Sequence, residues 1–320
     1  MGGSPRDQAL VTIDGYVLEG VLGRGGMGVV YRARQLSLGQ PVAIKVLAEG
    51  LRRQPCFVAQ FECETRLQAN LQHPHVMPVL DGGKADGVPY LVMRLIDGYS
   101  LRELIRAGVR APVQMIDLLK GIASALDCGH ASGILHLDVK PQNVLVEGER
   151  HAWLADFGLT RMLGQAAGPA PAGGLLGSLD YLAPEIARGE QPSPACDIYS
   201  LAVTTFQSLT GVLPFPVAQR DADVLAHASM ARPRASVYGH GLPAALDTVL
   251  QRGLAIDPAA RQPTAGALVD ELRQAVDPRR RGVSPRRRDP TWKPGAAVAS
   301  EAPSLLPTVL PEFRVEAAVA

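Results

Sequence analysis

The sequence lacks paired cysteines and a surplus of charge of one sign. Its four cysteines, at positions 56, 63, 128 and 196, are scattered, and no two of them form a CxxC pair. A disulfide framework or a zinc site is therefore not expected, and reduced thiols in a cytoplasmic protein are the simpler interpretation. The 32 basic side chains nearly balance the 31 acidic ones, so no overall field attracts nucleic acid or an anionic membrane.

Long apolar segments are also missing. The first ten residues contain no apolar h-region of a signal peptide, and the nearest candidate for a membrane span, 198–215, is interrupted by serine, threonine and glutamine. We therefore expect a cytoplasmic protein without a membrane span. Hydrophobic residues nonetheless make up 47% of the chain, which is enough for a buried core and argues against disorder throughout.

The pattern of apolar residues changes along the chain from strand-like to helix-like. β-Branched runs predict four early strands, at Val17–Leu22, Val29–Arg34, Val42–Leu47 and Tyr90–Leu95. Helical periods then predict helices at 112–131, 195–211, 221–230, 243–254 and 264–276. Strands first and helices later favour an α+β fold in two lobes.

Composition divides the chain into three parts. We expect a disordered N-terminus over 1–10, a folded domain over 11–276 with lobes at about 11–95 and 96–276, and a disordered tail over 277–320. The tail holds seven prolines, and six arginines fall between Arg279 and Arg288. Such a basic run is typical of a solvated segment, with contact to nucleic acid or anionic lipid as the alternative.

A glycine-rich turn carries the first chemical signal. Gly23, Gly25 and Gly28 lie between two predicted strands. A dinucleotide-binding fingerprint requires a helix after the third glycine, so this turn is predicted to be a hairpin lid instead. Glycines here let the backbone approach phosphate oxygens, although a plain glycine-rich hairpin is the alternative for this motif alone.

A lysine in an apolar strand and a glutamate on a helix form the second signal. Burial of Lys45 costs free energy unless its ammonium group is paired. Pro55 favours the first turn of a helix, on which Glu64 shares one face with Phe57 and Phe61. We predict that the two charges meet, with a purely structural ion pair or a glutamate at the edge of that face as alternatives.

Three oxygen-bearing side chains occur on two loops that flank a predicted hairpin over 143–155. Asp138 and Asn143 belong to the sequence HLDVKPQN, and Asp156 begins the sequence DFG. Hard oxygen ligands suit Mg²⁺, which retains several waters and takes one or two carboxylates. Either loop alone is more often structural than catalytic.

All these features occur in one order, and together they resemble the protein-kinase superfamily, in particular the eukaryotic-like Ser/Thr kinases of bacteria. The resemblance covers roughly residues 14–275 and extends to the APE sequence at 183–185, to DIYSL at 197–201 and to Arg261. It implies a two-lobed kinase fold, with a small antiparallel sheet and one main helix in the N-lobe and a mainly helical C-lobe.

The resemblance also implies a role for each motif residue. Asp138, Lys140 and Asn143 are expected to be catalytic, with Asp138 orienting the attacking hydroxyl and Lys140 neutralising charge at the γ-phosphate. Asn143 and Asp156 are expected to bind Mg²⁺, with Mn²⁺ as an alternative ion. The expected ATP-binding residues are Leu22, Gly23, Gly25, Gly26, Gly28, Val30, Ala43, Lys45, Glu64, Met93 and Leu145. Residues 94–96 resemble the hinge, whose backbone pairs with adenine.

Four further residues are expected to be structural in role. Ser178 resembles the hydroxyl that bridges Lys140 and the catalytic aspartate. Glu185 and Arg261 resemble the ion pair that anchors the substrate-side loop, and Asp197 resembles the acid that caps the catalytic-loop backbone.

Departures from the family pattern affect the functional interpretation. Leu137 stands where the family usually has the arginine that binds a phosphorylated activation loop, and the stretch 164–177 contains no hydroxyl. We therefore hypothesise that activity does not need phosphorylation of that loop. Gln68 stands where an apolar side chain normally helps to stack against Phe157, which predicts a weakly positioned helix that depends on a partner.

The sequence thus predicts an ATP-dependent Ser/Thr protein kinase that acts on protein hydroxyls and also phosphorylates itself. A pseudokinase or scaffold that binds nucleotide with little transfer is the alternative, motivated by Leu137 and Gln68. The expected partners of the kinase are ATP and protein substrates. Ser284, within the arginine run, is a candidate phosphorylation target. Nothing in the sequence indicates an oligomeric state.

Overall fold

The strand-rich start of the sequence forms an antiparallel sheet in the computed structural model, which describes residues 12–108, 111–156, 161–162, 179–239 and 241–277. The strands pair in the order β1-β2-β3-β5-β4. Their bounds are β1 Tyr16–Arg24, β2 Gly28–Gln35, β3 Pro41–Leu47, β4 Val79–Ala85 and β5 Val88–Arg94. The four predicted strands are confirmed. We did not predict β4, because this mostly exposed edge strand contains two glycines and no apolar alternation.

Two helices follow β3 before the chain returns to the sheet. Helix α1 covers Glu49–Arg52, and helix α2 covers Pro55–Asn70 with its proline in the first turn, as predicted. The buried residues of α2 are Phe57, Phe61, Glu64 and Gln68, so one face of this helix packs inward and carries two polar side chains with it.

A short connection leads from the sheet into the helical part. Strand β6 covers Gly98–Ser100, helix α3 covers Leu101–Ala107 and helix α4 covers Pro112–Ala131. Helix α3 begins with a capping box, in which the Ser100 hydroxyl accepts the Glu103 N–H and the Glu103 carboxylate accepts the Ser100 N–H. Helix α3 was not predicted, although the sequence SLRE at 100–103 is the signature of such a box.

A β-hairpin follows helix α4 along the chain. Strand β7 covers Ile134–Leu135, and the predicted hairpin is formed by β8 Val144–Glu147 and β9 His151–Leu154. Strand β6 pairs with β8 on the side opposite to β9, and a short β10 Arg161–Met162 pairs with β7. The polar loops that precede β8 and follow β9 therefore emerge from one small sheet.

The remaining helices build the larger lobe. They are α5 Pro184–Ala187, α6 Pro194–Thr210, α7 Asp221–Ala228, α8 Ala235–Tyr238, α9 Ala245–Gly253 and α10 Ala265–Val276. The predicted helices at 195–211, 221–230, 243–254 and 264–276 agree with four of these to within two residues at either end. Among the described residues, no helix combines the length and the apolar character that crossing a bilayer requires.

Buried apolar side chains form separate clusters in this fold. One cluster surrounds α4 and α6 in the larger lobe. A second cluster spans both lobes, because Val30, Ala43 and Met93 of the sheet pack with Leu145 and Trp153 of the hairpin. This shared cluster holds the sheet over the hairpin and fixes where the cleft between the lobes lies.

Several predictions concern residues outside the described part of the chain. They are the disorder of 1–10 and of the tail beyond Asp277, the roles of Phe157 and Ser178, and the behaviour of the loop 164–177. These remain predictions.

Candidate active site

A buried carboxylate holds the loop that precedes β8. Asp197, fully buried on α6, accepts the backbone N–H of His136 at 2.9 Å and that of Leu137 at 2.7 Å, and it also bonds His130 Nε2 at 2.8 Å. Burial alone would raise the pKa of Asp197, but these bonds and the charge of His130 lower it. Leu137 has φ = +61°, a left-handed conformation that is costly for leucine, so the carboxylate holds a strained backbone. Asp197 was predicted from the sequence, whereas its partner His130 was not, because His130 follows no recognisable spacing.

Asp138 lies at the centre of a polar cluster. Its Oδ2 atom is 2.9 Å from Lys140 Nζ, and Asn143 Nδ2 donates to its Oδ2 at 2.9 Å and to its backbone carbonyl at 2.8 Å. Burial raises the pKa of Asp138 above its usual range, and the Lys140 ammonium partly opposes that shift. The structure thus brings together the three residues predicted to be catalytic.

The other end of the Asn143 side chain has the properties of a cation ligand. Asn143 Oδ1 is buried and has no hydrogen-bond partner within the described residues. A buried carbonyl oxygen without a partner is costly, and a hard cation would satisfy it. Asp156 follows β9 with φ = +63° and supplies a carboxylate whose side chain is 16% exposed. The residues present therefore fit a divalent cation of the magnesium type.

The predicted ion pair between Lys45 and Glu64 is not formed in this structure. Lys45 Nζ pairs with Asp156 Oδ1, and Glu64 lies beyond ion-pair distance of Lys45 in the part of the chain described. Glu64 Oε1 instead accepts a hydrogen bond of 2.8 Å from Gln60 Nε2, one turn earlier on α2. Asp156 has satisfied the ammonium group, while Gln60 satisfies the carboxylate within its own helix.

The two carboxylates around Lys45 have opposite pKa shifts. Burial would raise the pKa of Asp156, but its contact with Lys45 lowers it below the usual range. For Glu64, burial dominates and raises the pKa well above its usual range, with only partial compensation from the charge of Lys45. Lys45 is therefore paired with Asp156 in this structure, and its charge only partly offsets the effect of burial on the pKa of Glu64.

Gln68 anchors the helix that carries Glu64. Its Nε2 atom donates to the Met77 carbonyl at 3.1 Å, and the side chain is buried. A polar residue at a position where an apolar one was expected therefore ties α2 to the segment before β4. The dependence of this helix on a partner stays a prediction.

Apolar residues line the cleft between sheet and hairpin. Val30, Ala43, Met93 and Leu145 are all buried in the cluster shared by the lobes, and Leu22 packs against it. The adenine-contacting residues implied by the resemblance are thus close together.

The glycine-rich turn closes the end of this cleft. Gly25 N–H donates to the Gly28 carbonyl at 2.8 Å, Gly23 pairs with Val30 across the hairpin, and Gly26 lies within the turn. A Cβ on Gly28 would lie 2.4 Å from the Val46 carbonyl oxygen, so only glycine allows β2 to approach β3 here.

Glu185 of α5 and Arg261 form another ion pair, and both side chains are buried. Arg261 donates to the two carboxylate oxygens of Glu185 at 2.6 and 2.8 Å, and its guanidinium lies over the Tyr199 ring. Burial would raise the pKa of Glu185, but the bonds and charge of Arg261 lower it. The predicted pair is present and anchors α5 to the segment before α10.

Comparison with known proteins bears on these observations. The family model for the protein kinase domain matches residues 16–272. Serine/threonine-protein kinase PknH of Mycobacterium bovis is 35% identical over 300 residues, which are 92% of this chain and 50% of that protein. Serine/threonine-protein kinase PknE of Mycobacterium tuberculosis is 38% identical over 254 residues, which are 79% and 44%. The chain thus spans about half the length of these curated relatives.

Solved structures give the same picture of the fold. The crystal structure of the Mycobacterium tuberculosis PknI kinase domain is 30% identical in sequence and superposes with a TM-score of 0.66. The match covers 83% of this chain and 98% of that domain.

Proposed function

Because this chain belongs to the protein-kinase family, we propose that it transfers the γ-phosphate of ATP to serine and threonine hydroxyls of proteins. The observation that carries the proposal is the convergence of Asp138, Lys140 and Asn143 in hydrogen-bonding contact beside the partly buried pair of Lys45 and Asp156. Phosphoryl transfer depends on positioning and charge stabilisation, and this cluster supplies both.

Bound ATP supplies the phosphoryl group, and a divalent cation neutralises its charge. Asn143 Oδ1 and the Asp156 carboxylate would hold the cation, and Mg²⁺ suits this donor set, with Mn²⁺ as an alternative. The buried side chains of Val30, Ala43 and Leu145 would exclude water from the adenine ring.

Asp138 is the candidate for holding the proton of the attacking hydroxyl at its carboxylate. Burial raises its pKa towards the range in which a carboxylate accepts protons effectively. Lys140 Nζ, 2.9 Å from Asp138 Oδ2, is placed to stabilise negative charge that develops beside it. A lysine two positions after the aspartate resembles the Ser/Thr class of the family.

Independence from activation-loop phosphorylation is also part of the proposal. Leu137 packs against the apolar core of the larger lobe and offers no cation to a phosphate. The Asp197 carboxylate holds the backbone at this position instead. Phosphopeptide mapping after incubation with Mg-ATP tests this point, and an obligatory phosphosite in the loop would refute it.

Labelled phosphate transfer from γ-labelled ATP to a generic basic protein tests the catalytic proposal. Asp138→Asn and Asp156→Asn are expected to reduce transfer by a factor of about 100 or more while the protein stays folded. Asp270→Asn is the control, because that side chain is 64% exposed on α10. Transfer by either variant at the wild-type rate would refute the assignment, and wild-type nucleotide binding without transfer would favour a pseudokinase.

A further inference from the structure

Three side chains form a closed contact behind the hinge, which comprises residues 94–96. Arg94 Nη2 donates to Glu147 Oε1 at 2.8 Å, and the Arg94 guanidinium lies 5.2 Å from the centroid of the Trp153 ring. Trp153 Nε1 donates to the second Glu147 oxygen at 3.1 Å. We call Arg94, Glu147 and Trp153 the hinge triangle. It joins the end of β5 to both strands of the β8–β9 hairpin.

The chain that leaves the hinge is fastened to the same strand. Gly98, two residues beyond the hinge, pairs with Glu147 across β6 and β8. A Cβ on Gly98 would lie 2.0 Å from the Val146 carbonyl oxygen, so the close approach of these backbones requires glycine. Both ends of the hinge region are therefore held by β8, one by side chains and one by backbone.

The hinge triangle is also connected to the apolar floor of the cleft. Leu145 pairs directly with Trp153 across β8 and β9, and both belong to the buried cluster that contains Met93 and Ile96. The strand that carries Leu145 thus carries Glu147 two residues later on the same face. A change in the hinge triangle would alter the spacing between the hinge backbone and Leu145.

We propose that Arg94 and Glu147 are positioning residues for nucleotide binding, because they fix the distance between the hinge backbone and Leu145. This inference rests on the proposed ATP-dependent function. The Arg94 backbone belongs to the hinge, but neither side chain touches the nucleotide in this scheme. Both side chains act through the hinge backbone and the hairpin. Their loss should weaken ATP binding without slowing the chemical step.

The size of the expected effect follows from the exposure of the groups. The side chains of Arg94 and Glu147 are 44% and 30% exposed, so their ion pair alone has a small effect. Contact of the guanidinium with the indole ring and the bond from Trp153 add to it. We expect an increase in the Kd of ATP of about three- to tenfold on removal of either charge.

The test measures Kd for Mg-ATP by calorimetry, together with KM for ATP and kcat. Arg94→Ala and Glu147→Ala should each raise Kd and KM about three- to tenfold and leave kcat unchanged. The double variant should lose less affinity than the sum of the two single losses, because both single variants remove the same ion pair between Arg94 and Glu147. Arg94→Lys should bind ATP more tightly than Arg94→Ala. The double variant that exchanges the charges, Arg94→Glu with Glu147→Arg, should also bind ATP more tightly than the alanine variants.

Arg34→Ala provides a matched control. Arg34 Nε lies 2.9 Å from Glu19 Oε1, and these side chains are 48% and 28% exposed, but the pair joins β1 and β2 outside the hinge. Its removal should leave Kd and KM unchanged. Thermal unfolding of every variant verifies that the fold is kept.

Three results would overturn the inference. They are wild-type affinity in both alanine variants, an equal loss in Arg34→Ala, and additive losses in the double variant. If the wild-type chain itself binds no ATP, the proposed function and this inference both fail. If the wild type binds ATP and the variants bind it equally well, this inference alone fails.

Discussion

Removal of Arg261 is expected to destabilise the protein far more than removal of an exposed arginine that also belongs to an ion pair. The guanidinium is fully buried, with two hydrogen bonds to Glu185 and further bonds to the carbonyls of Ala195 and Ala255 at 2.8 and 2.9 Å. The substitution Arg261→Met keeps most of the volume. Among the described residues, it leaves the buried Glu185 carboxylate with Cys196 Sγ, at 3.2 Å, as its remaining side-chain donor.

The cost of an uncompensated buried charge sets the magnitude. Breaking a buried ion pair by removing one partner costs about 3–5 kcal/mol. At about 2–4 °C per kcal/mol for a domain of this size, the melting temperature should fall by about 6–20 °C. The control Arg34→Met removes an exposed pair and should cost at most about 1 kcal/mol.

The effect should also depend on pH in a defined direction. Because the pKa of Glu185 is lowered in the folded protein, its ionisation stabilises the fold above the pKa of an unfolded glutamate. That contribution is lost as the pH falls through the lower, folded-state pKa. The difference in stability between wild type and Arg261→Met should therefore be largest near neutral pH and shrink in acid.

Urea unfolding at several pH values measures these differences. The double variant Glu185→Leu with Arg261→Met should regain at least half of the lost stability, because a well-packed apolar pair replaces the charges. The reasoning is refuted if Arg261→Met is as stable as Arg34→Met, or if the double variant is no more stable than Arg261→Met alone.

Three other substitutions have defined outcomes. Gly28→Ala places a methyl group against the Val46 carbonyl, so the affinity for ATP in a binding titration should fall about tenfold or more. Wild-type affinity in this variant would contradict the role proposed for the glycine-rich turn. Asn143→Ala removes the buried Oδ1 and both bonds to Asp138, so turnover should fall about 100-fold and the magnesium concentration needed for activity should rise. An unchanged magnesium titration would exclude Asn143 as a ligand. Gln68→Ala leaves the Met77 carbonyl without its donor and should cost about 1–3 kcal/mol in urea unfolding, and an unchanged unfolding midpoint would show that the bond does not hold α2.

Periodicity and turn chemistry were sufficient to predict most of the fold. The buried face of α2 follows from the spacing of Phe57, Phe61 and Glu64, and Pro55 marks its first turn. The helix at 195–211 is buried without a break from Cys196 to Phe206, polar side chains included, and it is the most buried of the helices described in the larger lobe. Strand β4 gave no such signal, because an exposed edge strand has no apolar face to pattern.

The partners of the buried charges did not follow from the sequence in the same way. The resemblance to protein kinases implies that Lys45, Glu64 and Asp156 share one site, but the choice between two carboxylates depends on side-chain reach and on competing donors such as Gln60. The contact between Arg94 and Glu147 joins residues 53 positions apart through a tertiary arrangement that no local pattern encodes. Sequence motifs predict which groups meet in a region, and packing decides which atoms bond.

The Asp197 carboxylate links the loop that carries Asp138 to the most buried of the helices described in the larger lobe. Because movement of helix α6 would disrupt the core of that lobe, we expect the backbone turn at Leu137 to unfold together with the lobe. On heating, inactivation should therefore coincide with cooperative collapse of the lobe rather than precede it.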